Sequence, residues 1–236
     1  MSNQKVALVS GGNRGLGLQT CKSLSDQGFY VFLGARQLEN GLSAVEDVDQ
    51  TNIEVVQLDV TSESDRTGLA DLITTKFGRL DVLVNNAGIL IDAKLGDPAS
   101  ITNTNADILQ RSLSVNTIAP VMLINTMLPL LKASSDARVI NISSGMGQLS
   151  DMGGQYAGYR ISKTALNAVT AIYAAEFEPQ NFKINSVCPG WVRTDMGGET
   201  ANLSVEEGVD TTVWLATSTE ATGSGGYYRN RQPIDW

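Results

Sequence analysis

The sequence predicts one α/β domain in which a doubly wound parallel β-sheet of about seven strands is flanked by helices on both faces. Short apolar runs, many of them β-branched, alternate along the chain with longer segments of helical periodicity. The run at residues 80–84 is apolar except for Asp81, as expected for a parallel strand that is covered on both faces. No internal repeat or linker interrupts this alternation, so we assign residues 1–236 to a single domain.

The order of the predicted elements follows from these periodicities. The first helix, with Leu18, Cys21 and Leu24 on one face, follows a glycine-rich turn and ends at Gly28. We predict strands at residues 5–10, 29–35, 53–58, 80–84, 138–142, 182–187 and 226–229. The second helix carries Leu42, Val45 and Val48, and later helices are predicted at residues 61–77, 105–131, 156–177 and 204–218.

The composition excludes several classes of protein and of site. Asp and Glu outnumber Lys and Arg by 25 to 17, and the resulting charge of −8 argues against a surface for nucleic acid or anionic membranes. There is no histidine, which removes histidine-based catalysis and the commonest zinc ligand, so we predict no metal site. Cys21 and Cys188 lie far apart in apolar segments, and together with the lack of a signal-peptide core they indicate free thiols in a soluble, cytoplasmic protein.

A glycine-rich turn joins the first strand to the first helix. Gly11, Gly15 and Gly17 permit positive φ and allow backbone N–H groups and the helix N-terminus to approach a pyrophosphate. Their spacing, Gly-x3-Gly-x-Gly, departs from the commoner Gly-x-Gly-x2-Gly of dinucleotide-binding folds. A simple tight connection is the alternative, and the position at the first strand–helix junction favours the phosphate site.

Polar residues also follow the later strands. Arg36 stands where NAD-binding folds usually place an acidic residue for the ribose hydroxyls. Asp59 either lies at the rim where ligands bind or caps the following helix, and the sequence leaves both open. Two asparagines precede Gly88 in a turn after the fourth strand. Asn116, inside an apolar helical stretch, either bonds its own backbone or holds a kink and a water.

Tyr159 and Lys163 carry the strongest chemical signal. Residues four apart lie one above the other on a helix, so both side chains are expected to reach one site. An ammonium beside a phenol favours the phenolate and shifts the phenol pKa toward neutrality, where it can exchange protons. Such a pair also occurs by chance on many helices, so the interpretation depends on the other motifs.

Together these motifs make the chain resemble the short-chain dehydrogenase/reductase family over nearly its whole length. In that family's order the chain contains Gly11-x3-Gly15-x-Gly17, Asn85-Asn86-Ala87-Gly88, Asn116, Ser144, Tyr159-x3-Lys163 and Pro189-Gly190. Within the family, the NADPH-dependent carbonyl reductases are the most similar, because residues 11–15 and 189–196 read much like theirs.

The resemblance implies a Rossmann-type domain that reduces aldehyde or ketone carbonyls to alcohols with NADPH. Tyr159 would donate a proton to the substrate oxygen as hydride arrives, and Ser144 would hydrogen-bond that oxygen. Lys163 would hold the nicotinamide ribose and lower the Tyr159 pKa, while Asn116 would bind a water linking Lys163 to solvent. The implied catalytic residues are thus Asn116, Ser144, Tyr159 and Lys163.

For the cofactor, the resemblance implies that Asp59 meets the adenine, that the turn at Asn86 lines its ribose and that Thr194 anchors the carboxamide. Arg36 and nearby Arg14 are expected to bind the 2′-phosphate, unless both are solvated surface residues. The implied cofactor-binding residues are Gly11, Asn13, Arg14, Gly15, Leu16, Gly17, Arg36, Asp59, Val60, Asn86, Ala87, Gly88, Tyr159, Lys163, Pro189, Gly190, Val192 and Thr194.

The substrate side is less specified by the sequence. Fourteen residues separate Ser144 from Tyr159, far fewer than in the monomeric carbonyl reductases, so substrate range and oligomeric state are not simply those of the monomers. A segment near residues 195–218 is expected to cover the substrate. Apolar and aromatic side chains that either line the pocket or belong to the core are Met146, Met152, Tyr156, Trp191 and Met196.

The helix at residues 156–177 is apolar nearly all round and cannot bury every apolar residue against one sheet. A second apolar helix, with Met122 and Met127, is its expected companion across a two-fold axis. We therefore predict a homodimer or homotetramer. The alternatives to a carbonyl reductase are a nucleotide-sensing regulator without enzymatic activity and a dehydrogenase that mainly oxidises alcohols. Sugar epimerases share the Tyr-x3-Lys pair but have a larger C-terminal domain, for which this chain has no room.

Overall fold

A computed structural model describes residues 4–46, 48, 52–92, 99–177 and 181–236. Its centre is one eight-stranded sheet with the order β3-β2-β1-β4-β5-β6-β7-β8, in which the first seven strands are parallel and β8 is antiparallel to β7. The strands are β1 Val6–Ser10, β2 Tyr30–Ala35, β3 Ile53–Gln57, β4 Val82–Asn85, β5 Ala137–Ile142, β6 Phe182–Val187, β7 Tyr227–Arg229 and β8 Gln232–Pro233. The predicted doubly wound parallel sheet is confirmed.

The helices are α1 Gly15–Asp26, α2 Leu38–Val45, α3 Glu63–Lys76, α4 Ala106–Leu113, α5 Ala119–Lys132, α6 Ala157–Glu176 and α7 Val205–Thr217. Val48 lies beyond the end of α2, which is shorter than predicted. The long helix predicted at residues 105–131 consists of α4 and α5 joined by a π-helical turn at Ser114–Ile118. The eighth strand was not predicted, because two residues carry no periodicity and one of them is a proline.

The two faces of the sheet are covered by separate hydrophobic clusters. On one face α3, α5 and α6 pack around Ile73, Met127 and Tyr173, and on the other α1 and α7 pack around Leu24 and Leu215. This double cover explains why every residue of β1 and β5 is buried. Because β1 lies between β2 and β4, the chain reverses direction across the sheet at β1 and β4, which opens a crevice at the carboxyl ends of these strands.

Candidate active site

A cavity of about 1290 Å³ lies at this crevice. All of the sequence-predicted cofactor residues, from Gly11 to Thr194, line it. Its volume exceeds the roughly 300–1,000 Å³ of ordinary small-molecule pockets, so a dinucleotide and a substrate can share it. Loops after all six strands from β1 to β6 contribute to the lining, which is why residues so far apart in sequence converge.

The glycine turn has the backbone that a phosphate cradle requires. Gly11 and Gly15 have φ values of +64° and +51°, a region that favours glycine. A Cβ at Gly17 would lie 2.1 Å from the Gly11 carbonyl oxygen, so α1 can approach the turn only with glycine there. Asn86 supports the turn from β4, since its amide donates to the carbonyls of Ser10 and Gly11 at 3.0 and 2.9 Å. The turn therefore presents an open, fixed backbone at the N-terminus of α1, which fits a pyrophosphate.

Of the two roles that the sequence left open for Asp59, the structure has it at the rim of the cavity, because the N-cap of α3 is Ser62. The Asp59 side chain lines the cavity, and its Oδ1 accepts hydrogen bonds from the Thr61 backbone and hydroxyl at 2.9 and 2.7 Å. Burial acts to raise the pKa of Asp59, but the bonds from Thr61 and the charges of Arg36 and Arg66 hold this pKa below its ordinary value. Asp59 is thus an ionised acceptor at the rim, and Arg36 lies within electrostatic reach of it.

Arg14 has a partner that sequence reasoning did not provide. Its guanidinium forms an ion pair with Asp195 at 2.5 Å, and both side chains are largely exposed. Arg14 is on the glycine turn and Asp195 follows β6, so the pair joins two sides of the cavity mouth. Exposed pairs contribute only about 0–1 kcal/mol, so an anionic ligand can displace this one at little cost.

Tyr159 and Lys163 occupy adjacent turns of α6, and both side chains line the cavity beside Ser144. Burial raises the pKa of Tyr159 to about 12, against a lowering contribution from the Ser144 hydroxyl. Burial also lowers the pKa of Lys163 to about 8. The expected lowering of the Tyr159 pKa by Lys163 is absent, because the Lys163 ammonium donates to the Ile142 carbonyl at 2.7 Å and lies 5.7 Å from the Tyr159 ring centre.

Asn116 connects the loop after β4 with α6. It is fully buried in the π-helical turn between α4 and α5. Its Oδ1 accepts from the Ile89 N–H at 2.8 Å, while its Nδ2 donates to the Ile89 carbonyl at 2.8 Å and to the Ser162 hydroxyl at 3.0 Å. The alternative in which Asn116 bonds its own backbone is therefore wrong, and the local distortion of the helix is confirmed. A water held by Asn116 stays a prediction.

Asp92 is a positioning residue that the sequence did not reveal. It is fully buried, and its carboxylate accepts hydrogen bonds from the Gly158 and Tyr159 N–H groups at 2.7 and 3.0 Å. These are orphan donors of the first turn of α6, whose N-cap residue Tyr156 is left-handed and provides no side-chain cap. Asp92 thus fixes the backbone of Tyr159 from 67 residues away, and no local pattern signals such a contact.

Four of the five predicted pocket residues line the cavity, namely Met146, Tyr156, Trp191 and Met196. Met152 does not; its side chain is exposed outside the cavity, and its assignment to the pocket is corrected. The covering segment is also shorter than residues 195–218. α7 packs into the core through Leu215 and Ala216, so only the turn-rich residues before it, with the first turn of α7, border the cavity.

Proteins of known sequence and structure that are similar to this chain identify its family. Residues 5–203 match the family model described as short chain dehydrogenase. The chain belongs to the short-chain dehydrogenase/reductase family. It is 31% identical to (+)-neomenthol dehydrogenase of Arabidopsis thaliana over 97% of each chain. It is also similar to a solved structure, carbonyl reductase Sniffer of D. melanogaster, with 32% identity, a TM-score of 0.88 and coverage of 99% of this chain and 100% of that chain.

A second solved member of the family is the NADPH-bound carbonyl reductase from chicken fatty liver, with 27% identity, a TM-score of 0.87 and full coverage of both chains. The predicted family, fold and enzyme class are therefore confirmed for this chain. The alignment with neomenthol dehydrogenase runs over 288 positions, whereas this chain has 236 residues. At least 52 residues of that relative therefore have no counterpart in this chain. This short-chain dehydrogenase/reductase therefore has fewer residues than that relative over the aligned region.

Proposed function

We propose that this protein is an NADPH-dependent reductase of aldehydes and ketones. The observation that carries the proposal is the placement of Ser144, Tyr159 and Lys163 on one cavity that also contains the glycine turn. A site with one proton donor and one hydroxyl beside a cradle for phosphate suits hydride transfer to a carbonyl. The names of its similar relatives, which include a carbonyl reductase and salutaridine reductase, support the same reaction.

The residues suit reduction. A nicotinamide cofactor, when bound, supplies the hydride. Tyr159 is a neutral phenol at physiological pH because its pKa is about 12, so it holds the proton that a nascent alkoxide needs. Ser144 lies beside Tyr159 and can donate to the same substrate oxygen, which stabilises developing negative charge.

We propose NADPH rather than NADH on the basis of charge. The 2′-phosphate of NADPH carries nearly two negative charges, which need local cations on a protein of net charge −8. Arg36 lines the cavity at the end of β2, and no acid occupies its position. Arg14 is the second candidate, but it would first have to leave Asp195. We therefore assign the larger share of the preference to Arg36.

The test compares the purified protein with the Tyr159→Phe variant, using NADPH, a panel of activated carbonyls and nicotinamide absorbance. Loss of the phenol proton should lower kcat by about 10²–10⁴-fold while NADPH still binds. The matched control is Tyr173→Phe, which removes a hydroxyl at the other end of α6, where it donates to Asn125 at 2.6 Å. Near-normal turnover in Tyr159→Phe would refute the mechanism, and an equal loss in both variants would indicate a general effect on α6.

We also propose that the protein is a homodimer or homotetramer in the cytoplasm. The continuous helix Ala106–Lys132 is apolar enough by length and composition to cross a membrane, yet α5 packs in the core through one face. Large apolar side chains remain exposed on the other face and on α6, namely Ile118, Met122, Ile161 and Ile172. A second copy that buries both helices would remove this surface from water. Two buried, free cysteines support a reducing compartment.

A further inference from the structure

The last part of the chain contacts the loop that carries Ser144. We call residues 227–236 the C-terminal segment and residues 144–151 the serine loop; the C-terminal segment lies beyond residues 5–203, which match the family model. It contains β7 and β8, and β7 pairs in parallel with β6. The two segments are far apart in sequence, and β7 brings them together at the edge of the cavity.

The shortest contact reaches the serine itself. The Tyr227 hydroxyl donates to the Ser144 carbonyl at 2.6 Å. The Tyr227 ring is 1% exposed and is stacked on Trp236, with 5.5 Å between ring centres and 11° between planes. Such a ring has few rotamers available, so its hydroxyl is a fixed donor.

Two further contacts hold the same loop. The Arg229 Nε and Nη2 atoms lie 3.2 and 3.1 Å from the Cys188 sulfur, which also accepts from the Gly145 N–H at 3.1 Å. A Cβ at Gly145 would lie 2.4 Å from Arg229 Nη2, so a larger residue next to the serine would displace the end of the Arg229 side chain. Farther along, the Ser150 N–H donates to the Trp236 carbonyl at 2.9 Å.

Ser144 itself has hydrogen bonds within the serine loop as well as the one from Tyr227. Its carbonyl also accepts from the Gly147 N–H at 2.8 Å, and its hydroxyl oxygen accepts from the Met146 N–H at 3.1 Å. The backbone and the side chain of Ser144 are therefore fixed by different donors, and the Tyr227 hydroxyl donates to the backbone carbonyl from outside the loop. We propose that Tyr227 is a positioning residue that holds the Ser144 hydroxyl in place for the carbonyl substrate. The role assigned to Ser144 rests on the proposed function, whereas the contact does not.

A double-mutant cycle tests the positioning role. In the parent, Tyr227→Phe should lower kcat by roughly three- to tenfold, as expected for the loss of one buried hydrogen bond, with little change in the KM for NADPH. In a Ser144→Ala background the same change should cost less than about twofold, because no hydroxyl is left to position. Tyr228→Phe, on the opposite face of β7 against Trp214, is the matched control and should leave both backgrounds unchanged.

A second measurement does not depend on turnover. Amide hydrogen exchange at Met146 and Gly147, which both donate to Ser144, should be roughly three- to tenfold faster in Tyr227→Phe and unchanged in Tyr228→Phe. Equal losses of kcat in both serine backgrounds, or exchange as slow as in the parent, would overturn the positioning role. A parent that reduces no carbonyl would instead refute the proposed function, and the exchange measurement would still decide whether Tyr227 holds the serine loop.

Discussion

Replacing Lys163 by Met should stabilise the folded protein near neutral pH while removing a group proposed to be catalytic. The Lys163 side chain is 4% exposed, and burial lowers its pKa from 10.5 to about 8. The folded state therefore loses this proton near pH 8, whereas the unfolded chain keeps it to about pH 10.5. Between these values the unfolded state binds more protons, so the stability of the parent rises with pH. The cost of burying the ammonium is present in full only below pH 8 and is relieved as the pH approaches 10.5.

The magnitude follows from the pKa difference. A shift of about 2.5 units corresponds to about 3 kcal/mol, at ~1.36 kcal/mol per unit. Met also leaves the Ile142 carbonyl without the Lys163 donor at 2.7 Å, which costs about 1–2 kcal/mol. The expected net gain at pH 7 is therefore about 1–2 kcal/mol. Because the relieved cost shrinks by about 2–3 kcal/mol between pH 7 and pH 10, the gain should vanish or reverse at pH 10.

Urea unfolding of parent and variant at several pH values from 7 to 10 measures this difference directly. Tyr159 faces Lys163, but its pKa of about 12 places its titration above this range, and it is present in both proteins. Lys132→Met, which removes an exposed ammonium from α5, is the matched control and should show no comparable gain. A Lys163→Met variant no more stable than the parent at pH 7, with a difference that does not change with pH, would refute the assignment of a buried, destabilising ammonium.

Three further changes test other parts of the site. Arg36→Ala should lower the ratio of kcat/KM for NADPH to that for NADH by about tenfold or more, whereas Arg111→Ala on α4 should not; an unchanged ratio would remove Arg36 from the role. Asp92→Asn replaces one acceptor oxygen with an amide donor at the start of α6, so the free energy of unfolding should fall by about 1–2 kcal/mol in denaturant titrations, and kcat should fall too. A stability equal to that of the parent would count against a role of Asp92 in capping α6. Ile172→Glu places a charge on the exposed face of α6 and should shift the assembly toward monomers in light scattering at micromolar concentration, while a monomeric parent would contradict the proposed interface.

The sheet was predictable because each strand is a local signal. Apolar runs and turn residues mark the strands, and the bounds of the seven predicted strands agree with the structure to within two residues. The cavity was predictable for a related reason, since residues after parallel strands meet at one edge whatever their distance in sequence. Gly11, Arg36, Asp59 and Asn86 could therefore be assigned to one site before their contacts were known.

The electrostatics of the site could not be read from spacing. The interval between Tyr159 and Lys163 places both on one face of α6, as predicted, but does not show that both are buried or that the ammonium bonds the Ile142 carbonyl. Burial disfavours the charged form of each group, so it raises the pKa of the phenol and lowers that of the ammonium. The expected lowering of the Tyr159 pKa is absent because desolvation, which depends on the whole fold, raises this pKa, and because the Lys163 ammonium bonds the Ile142 carbonyl instead.

Contacts that position the reacting groups, like the pKa values, depend on the folded chain and not on local sequence patterns. Asp92 and Tyr227 act on the backbones of Tyr159 and Ser144 from 67 and 83 residues away, and neither belongs to a short motif. Each reacting group must be a particular type of side chain, so the identity and spacing of these groups can be recognised in a sequence. A backbone N–H or carbonyl, in contrast, accepts many partners, and only the folded chain shows which one it has. Residues of this second kind are therefore where this enzyme can differ from its relatives while its reacting groups stay the same.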